Sequence, residues 1–361
     1  MSIQLTLRWV CVADESYEIP LDLFSLLQAI VDNGSLRAAT EECQLSYRHA
    51  WGMLQLWQQH FKHPLVELKR GRGNGAILTA FGEKLLWEYQ RIAARLEPEL
   101  ASLASELSSE LAALMQMGPQ SHLRIAASHG LVIANLRDLA QKTQGLNLDV
   151  QFHGSLDSLQ HYRAGRYDMA GFHLPEGKLG KALLPRVKRL INSETDCLVY
   201  ALRRQQGLMM ALNNPKNIQN LSDLTRSDVK FINRQRNSGS RLTLDEMLCR
   251  AGIDSALIDG YANEEFTHSA VAAIVASGAA DCGFGLQAAA AQFNLAFIPF
   301  NWESYWFVLP KAKADQVLFR SFIELLGSHA FKLSVAGVQG YDVSRSGVVV
   351  TPSHDLSILL F

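Results

Sequence analysis

The stretch FINRQRNSGSRLTLDEML, Phe231 to Leu248, places a basic and polar loop between an apolar pair and an amphipathic run. Small polar residues at the start of a helix expose backbone N–H groups, and a helix N-terminus favours negative charge. The loop is therefore either an anion receptor or an ordinary helix cap with solvent-facing arginines, and the residues alone favour neither. The predicted ligand-binding residues of this loop are Asn237, Ser238, Gly239, Ser240 and Arg241.

Other chemistries fit the sequence poorly. A nucleotide phosphate loop needs Gly-x4-Gly-Lys-Ser/Thr, and neither that lysine and spacing nor the glycine triplet of a dinucleotide fingerprint is present in this loop. His268 lies near a predicted helix start, where a lone histidine is more often a cap or packing residue than a base. We therefore expect no enzyme, no catalytic residue, no metal site and no resident cofactor.

The elements around this loop alternate between strand and helix. HLRIAAS (122–128) and NLDVQFH (147–153) bracket a helix from about Leu131 to Gln144, and SLDSLQHYRAG leads into the predicted strand YDMAGFH. Parallel strands with helical crossovers form an open sheet whose ligands collect at the carboxyl ends of the strands. The further ligand-binding residues predicted at such turns are Ser128, His129, Gly154, Ser155, Thr267, His268 and Gly285.

The first part of the chain predicts three short helices. Asn33-Gly34 ends the first helix, Ser35 can cap the second, and the third begins near Ser46. Three helices with a tight turn are typical of a helix-turn-helix, although any small three-helix module would show a similar pattern. The predicted core faces are Leu23, Leu27, Ile30 and Val31 on the first helix, and Ala50, Met53, Leu54, Trp57 and Phe61 on the third.

A hairpin is predicted to follow the third helix. Two apolar segments, 65–68 and 76–78, flank a glycine-rich basic tip in PLVELKRGRGNGAILTAFGEKLL. Such a wing can bring Lys69, Arg70 and Arg72 to DNA phosphates, whereas a solvated turn is the alternative for this segment taken alone.

These residues together resemble the winged helix-turn-helix domain of ModE-type regulators, relatives of the LysR-type regulators. The matching set is Ser46, Tyr47, Arg48, Ala50 and Trp51, followed by Leu78, Thr79 and Gly82. The resemblance covers about residues 20–95 and implies that the helix from Ser46 enters the major groove of double-stranded DNA. The predicted DNA-binding residues are Ser35, Ser46, Tyr47, Arg48, His49, Gln55, Lys69, Arg70 and Arg72.

A long helical stripe follows Gly82. Leucines and other apolar residues recur at steps of three and four from Leu85 to Leu114. Pairing across a dimer axis explains such a stripe better than packing within one chain, so we expect a homodimer or a tetramer. Pro98 predicts a bend or a new helix start near Glu97, because proline removes a helical hydrogen bond.

The remaining chain resembles periplasmic-binding-protein-like domains, which occur with ModE-type DNA-binding domains and with molybdopterin-biosynthesis enzymes. The motifs are Asn233-Arg234-Gln235, Ser238-Gly239-Ser240-Arg241, Thr267-His268, and Ala280-Asp281 before Gly283. The resemblance implies a type-II two-lobed α/β fold, with crossings near Val199–Leu202 and Trp302–Phe307. The predicted organisation is a winged helix at 1–82, a linker helix at 83–118, an effector domain at 119–340 (lobe one about 121–198 and 303–340, lobe two about 199–302) and a tail at 341–361.

Bulk composition adds limits on partners. Thirty-four basic and thirty-five acidic residues nearly cancel, so any DNA-binding surface must be local. The N-terminal segment lacks a basic start with a sustained apolar region, and the five cysteines are scattered without metal-ligand spacing. We expect a cytoplasmic protein with reduced thiols and no membrane partner.

The sequence thus predicts a regulator that binds operator DNA and senses a small anion. The resemblance raises molybdate, tungstate or a small carboxylate such as formate as effector, and molybdenum, tungsten or molybdoenzyme genes as targets. The alternatives are a binding module or enzyme of molybdenum-cofactor metabolism that does not act on transcription, and a purely structural dimer.

Overall fold

The chain folds into two compact units. In the computed structural model, residues 3–12, 15–68, 75–114, 122–128, 130–236, 238–352 and 359 are described. One unit comprises Thr6–Ala94, and the other comprises Arg95–Phe361 with the first five residues.

The N-terminal unit contains the predicted three helices and the hairpin. The structure adds a short antiparallel hairpin before them, which the sequence had not indicated. The elements are β1 (Val10–Val12), β2 (Ser16–Glu18), α1 (Leu21–Asn33), α2 (Leu36–Glu42), α3 (Tyr47–Phe61), β3 (Val66–Leu68), β4 (Ala76–Leu78) and the beginning of α4 (Ala80–Leu114).

The helices of this unit bury one shared apolar core. α1 ends at Gly34, whose left-handed backbone (φ 63°) closes the helix. The predicted stripe of α3 is confirmed, with Ala50, Met53, Leu54 and Trp57 buried and Phe61 packed against them. Val31 was wrongly assigned to the core of α1: it lies in the last turn and remains 49% exposed, while the core face extends to Phe24 and Leu26.

Helix α4 runs without interruption from Ala80 to Leu114. The predicted new start near Glu97 is therefore wrong, because the loss of one backbone hydrogen bond at Pro98 does not end the helix here. A bend at Pro98 stays a prediction. Two leucines of the predicted stripe, Leu103 and Leu107, are 48% and 38% exposed in the single chain.

The second unit alternates strands and helices, as predicted. The observed β5, α5 and β6 coincide with the segments expected from the sequence. The elements are β5 (His122–Ser128), α5 (Leu131–Gln144), β6 (Asn147–His153), α6 (Ser155–Arg163), β7 (Met169–Pro175), α7 (Gly177–Lys188), β8 (Asp196–Met210), β9 (Phe231–Arg234), α8 (Gly239–Ala251), β10 (Glu264–Glu265), α9 (His268–Ala276), β11 (Cys282–Leu286), α10 (Gln287–Gln292), β12 (Ala296–Pro310), α11 (Val317–Gly327), α12 (His329–Val335), β13 (Tyr341–Asp342) and β14 (Val349–Val350), with 3-10 turns at Leu221–Thr225, Ser255–Leu257 and Lys311–Lys313.

The sheet is mixed rather than wholly parallel. Its strand order is β10-β9-β11-β8-β12-β7-β5-β6. Strands β5, β6 and β7 are parallel, as are β9, β10 and β11, but β12 is antiparallel to β7 and to β8. The two long strands β8 and β12 were not predicted as strands, and they belong to both lobes.

Strand pairing locates the passage between the lobes. β7 pairs with β12 only at Glu303–Val308 in lobe one, whereas β11 pairs with β8 at Gln206–Met210 in lobe two. The first crossing therefore lies near Arg204–Gln206, a few residues beyond the predicted Val199–Leu202, whose Val199, Ala201 and Leu202 lie in the core of lobe one. The return falls between Pro299 and Glu303, where β12 has a register irregularity.

The C-terminal segment joins the sheet. β13 pairs with β8 at Arg203–Arg204, and β14 pairs with it at Leu198–Val199. Leu359 is fully buried against lobe one. Within the described ranges, no helix is long and apolar enough to cross a membrane.

Candidate DNA-binding helix and candidate ligand cleft

The N-terminus of α3 presents a polar and aromatic face to solvent. Ser46 caps the helix by accepting a hydrogen bond from the backbone N–H of His49 at 3.2 Å. Arg48 and His49 are exposed, and Tyr47 and Trp51 are 51% and 38% exposed. Gln55 is half-buried one turn beyond them. Because the apolar side of α3 is held in the core, this face is the side available to a partner.

The wing is present as the antiparallel pair β3–β4. Ala76 N–H donates to Gly34 O at 2.9 Å, which ties the hairpin to the turn between α1 and α2. Ser35 occupies the N-cap position of α2, but its side chain makes no capping hydrogen bond, so that prediction was wrong in its chemistry. Its backbone instead bridges to Gly75. Lys69, Arg70 and Arg72 lie outside the described residues.

Two serine side chains of lobe one meet at a buried histidine. The Nδ1 atom of His173, on β7, lies within hydrogen-bond distance of Ser128 Oγ (2.8 Å) and Ser155 Oγ (3.2 Å). Ser128 ends β5, and Ser155 opens α6 after Gly154 at the N-cap position. Burial lowers the pKa of His173 well below its ordinary value, and the guanidinium groups of Arg204 and Arg234 lower it further. The ring is therefore neutral at pH 7.

The first residues of α8, in lobe two, lie against His173. Ser238 caps α8 by accepting from Arg241 N–H at 3.2 Å, and Ser240 Oγ accepts from Gln206 Nε2 at 2.8 Å. The Ser240 hydroxyl also lies 3.4 Å from His268 Nε2. A Cβ atom at Gly239 would lie only 2.6 Å from His173 Nε2, so lobe two touches lobe one here. We call the region bounded by Ser128, Ser155, His173, Gly239, Ser240 and His268 the cleft.

The remaining predicted ligand residues flank the cleft. Thr267 caps α9, accepting from Ala270 N–H at 3.0 Å, and Gly285 lies against His268. Arg241 is turned away: it donates to Asp245 at 2.9 Å, lies 3.3 Å from Glu264, and stacks on Tyr261. A ligand contact by Arg241 stays a prediction. His129 and Asn237 lie outside the described residues.

Sequence reasoning missed the charged centre of the cleft. Arg204 donates from Nε to Glu303 Oε1 at 2.6 Å, and these residues are 1% and 0% exposed. Their register is adjacent on β8 and β12. Burial disfavours the charged form of Arg204, but the Glu303 carboxylate, with Tyr341, outweighs burial, and the pKa of Arg204 is raised. Among described residues, Arg204 Nη2 and Glu303 Oε2 have no hydrogen-bond partner.

A second arginine completes this centre. Arg234, at the end of β9, is 7% exposed and donates from Nη2 to Phe266 O at 2.8 Å. Its Nε has no partner among the described residues. Burial first, and then repulsion from Arg204, lower the pKa of Arg234 to about 9. Two buried guanidinium groups with unused donors favour an anionic ligand.

A sequence signal for these residues existed. Arg234 and Glu303 each interrupt an otherwise uncharged stretch, in FINRQ and NWESYWFVL, and Arg204 stands with Arg203 between apolar and uncharged residues in ALRRQQGL. Charged residues are almost never fully buried unless they are paired or functional. Which of several charges in such stretches are buried depends, however, on strand register.

The comparisons with known proteins agree with this architecture. A model described as "PBP superfamily domain" matches residues 136–327, and one described as "Bacterial regulatory helix-turn-helix protein, lysR family" matches residues 21–83. The chain belongs to the PBP superfamily domain family, with a LysR-family helix-turn-helix before that domain. The predicted fold class and the resemblance to both families are confirmed.

Individual relatives cover parts of the chain. It is 36% identical over 200 residues to the uncharacterised protein YvgK of Bacillus subtilis, over 55% of this chain and 64% of YvgK. Shorter matches are 36% identity to the molybdenum-pterin-binding protein MopB of Rhodobacter capsulatus (26% of this chain, 35% of MopB) and 31% to the transcriptional dual regulator ModE of Escherichia coli (28% and 40%). The chain thus spans less than two thirds of each of these relatives. A solved OxyR mutant from Corynebacterium glutamicum aligns over 89% of this chain and 95% of its own, at 16% identity and a TM-score of 0.44.

Proposed function

We propose that this protein is a transcription regulator whose winged helix binds operator DNA and whose two-lobed domain senses a small anion. One observation carries the proposal: a LysR-family helix-turn-helix is joined in one chain to a PBP superfamily domain whose cleft holds buried arginine donors without partners. A ligand that binds one arrangement of the lobes more tightly than another would shift the population between them.

The DNA-binding part is supported by the exposed start of α3. Arg48→Ala is expected to weaken binding of the full-length protein to DNA from its own promoter region by about tenfold or more, as loss of one charged DNA contact does. Fluorescence anisotropy at several salt concentrations measures this. The control is Arg320→Ala, because Arg320 is an exposed arginine (side chain 59% exposed) on α11.

Two outcomes would contradict the regulator. One is wild-type protein that shows no salt-dependent, sequence-selective retention of that DNA. Such a result would favour a molybdenum-cofactor-related binding module that does not act on transcription. The other is equal loss of affinity in the Arg48 and Arg320 variants, which would move the DNA contact away from α3.

The sensing part is supported by the contact of the two lobes at Gly239. Because His173 is buried and its Nδ1 is held by Ser128 and Ser155, its ring has little freedom to yield to an added methyl group. Gly239→Ala is therefore expected to hold the lobes apart and weaken binding of an anionic effector by about tenfold or more. Gly337→Ala is the matched control, since a Cβ there meets open space.

A thermal-shift screen with molybdate, tungstate, sulfate, phosphate, formate and other small carboxylates identifies anions that stabilise the wild type. Titration calorimetry with each stabilising anion then compares the two glycine variants. The sensor would be refuted by a screen in which no anion raises the melting temperature at saturating concentration. Unchanged affinity in the Gly239 variant would refute closure at this contact.

Gene targets and assembly complete the proposal. MopB carries molybdenum-pterin binding in its name, and ModE is named a transcriptional regulator. These relatives support control of molybdenum, tungsten or molybdoenzyme genes by a regulator that acts in the cytoplasm. Exposed Leu103 and Leu107 on α4 support a second copy as partner, giving a homodimer or a tetramer.

A further inference from the structure

The Glu303 carboxylate sets a condition on any ligand of the cleft. It is fully buried, and Oε1 accepts from Arg204 Nε at 2.6 Å. Burial raises the pKa of Glu303, while Arg204, Arg234 and a hydrogen bond from Gln206 oppose that rise and favour the carboxylate. Oε2 has no hydrogen-bond partner among the described residues. Burying a charged carboxylate oxygen without a hydrogen-bond donor costs more free energy than burying an unpaired neutral acceptor. Glu303 Oε2 therefore favours a ligand that supplies an N–H or O–H group.

The neighbouring histidine does not supply that donor in the observed arrangement. His173 Nε2 lies 4.0 Å from Glu303 Oε2, beyond hydrogen-bond distance. Its Nδ1 is already engaged with Ser128 and Ser155. Gly239 packs against the other edge of the ring, which limits movement toward the carboxylate.

Unused donors lie beside this unused acceptor. Arg204 Nη2 and Arg234 Nε are both buried without partners among the described residues. The buried carboxylates Glu303 and Glu265 both act to raise the pKa of Arg234, against the larger lowering by burial and by Arg204. The two arginines therefore have two buried acidic side chains near them. The site is therefore amphoteric: it offers N–H groups to an anion and an oxygen lone pair to a donor.

We propose, resting on the sensing function above, that the cleft selects an anion that also carries a hydrogen-bond donor, with the donor directed at Glu303 Oε2. An anion with acceptors alone brings its oxygens against the carboxylate, and that repulsion offsets the attraction of the arginines. A protonated oxyanion such as hydrogen phosphate, or a hydroxy or amino carboxylate, satisfies both. Fully ionised molybdate, tungstate, sulfate and formate satisfy only the arginines.

Matched anions test the condition on the wild-type, full-length protein. Phosphate and sulfate share a tetrahedral shape, but only phosphate keeps a proton at pH 7; glycolate and acetate share a carboxylate, but only glycolate has a hydroxyl. Calorimetry is expected to show at least about tenfold tighter binding for the donor-bearing member, in the direction known for sites built to hydrogen-bond a ligand group. The pair that binds identifies the source of the anion, whether phosphate-like or carboxylate.

Glu303→Gln supplies the second arm. The amide keeps the side-chain shape but can turn an N–H donor toward the ligand, so the preference for the donor-bearing anion is expected to disappear or reverse. Glu176→Gln is the control, because Glu176 is a carboxylate of the same lobe that already accepts from Ser304 Oγ at 2.8 Å. Glu176→Gln is expected to leave unchanged the ratio of affinities for the donor-bearing and the donor-free anion.

The outcomes separate this inference from the function on which it rests. If sulfate, molybdate or acetate bind the wild type as tightly as phosphate or glycolate, the cleft is an anion sensor but the donor condition is wrong. The same holds if Glu303→Gln folds and leaves the ratio unchanged. If no anion of the screen binds, the sensing function itself fails. Should Glu303→Gln not fold, the ratios measured on the wild type still decide the matter.

Discussion

Gly82→Ala is expected to destabilise the N-terminal unit by about 3 kcal/mol, although alanine is the better helix former. A Cβ atom at this position in α4 would overlap the carbonyl oxygen of Leu65 and would lie 3.1 Å from the Leu65 carbonyl carbon. Leu65 is fully buried, and its carbonyl accepts from Thr79 N–H at 3.0 Å. Neither backbone segment can retreat without breaking the junction between wing and α4.

Gly52→Ala provides a matched comparison within the same unit. Gly52 lies in α3, where a Cβ meets no atom within 4 Å, so alanine is expected to stabilise by about 0.5–1 kcal/mol. Chemical denaturation of the full-length variants measures the change in the free energy of unfolding. Native-state hydrogen exchange of α1 and α3 amides assigns that change to the N-terminal unit. Equal stability of the two variants would show that the close approach of Gly82 to Leu65 is unimportant.

Arg204→Met is expected to destabilise the second unit by about 3–5 kcal/mol, the cost of leaving one partner of a buried ion pair uncompensated. Methionine replaces the apolar stem of Arg204 but leaves the Glu303 carboxylate, which is 0% exposed, without its bonded cation. Replacing both residues, as in Arg204→Met with Glu303→Leu, is expected to recover most of the loss, because no charge then remains unpaired.

The neighbouring arginine is the control. Arg203 lies on the same strand, has a side chain that is 39% exposed, and pairs with Asp342 at 2.9 Å. Arg203→Met is expected to cost about 1 kcal/mol or less, as for partly exposed ion pairs. Urea denaturation of the four proteins gives the comparison. A double variant less stable than Arg204→Met would show that the Arg204–Glu303 pair is not what makes the single change costly.

Local patterns predicted a large part of this molecule. The three helices, the wing and the β5–α5–β6 unit follow from apolar periodicity and from caps such as Asn33-Gly34, which depend on residues close together in the chain. The sequence also pointed to Ser128, Ser155 and Ser240, which lie at strand ends or helix starts, where ligands of such sheets collect. The structure places all three around the cleft, and their contact with a ligand stays a prediction.

The charged centre required the tertiary structure. Arg204 and Glu303 are 99 residues apart, and they meet only because β8 and β12 pair in one register. A shift of one residue would turn Arg203, not Arg204, into the interior. Likewise, the sequence named Arg241 as a ligand residue, and only the tertiary structure shows that Arg241 pairs with Asp245 and Glu264 while Arg204 and Arg234 keep donors without a hydrogen-bond partner among the described residues.

The sequence by itself therefore determined the three helices and the wing, the β5–α5–β6 unit, both family resemblances and the helix starts predicted to bind a ligand. Each of these depends on spacing over a few residues, and so it is written in the chain locally. Only the tertiary structure decided which charges are buried, which of them are paired, and that lobe two meets His173 through Gly239. Those properties arise from strand register and from the approach of distant segments, which local periodicity does not encode.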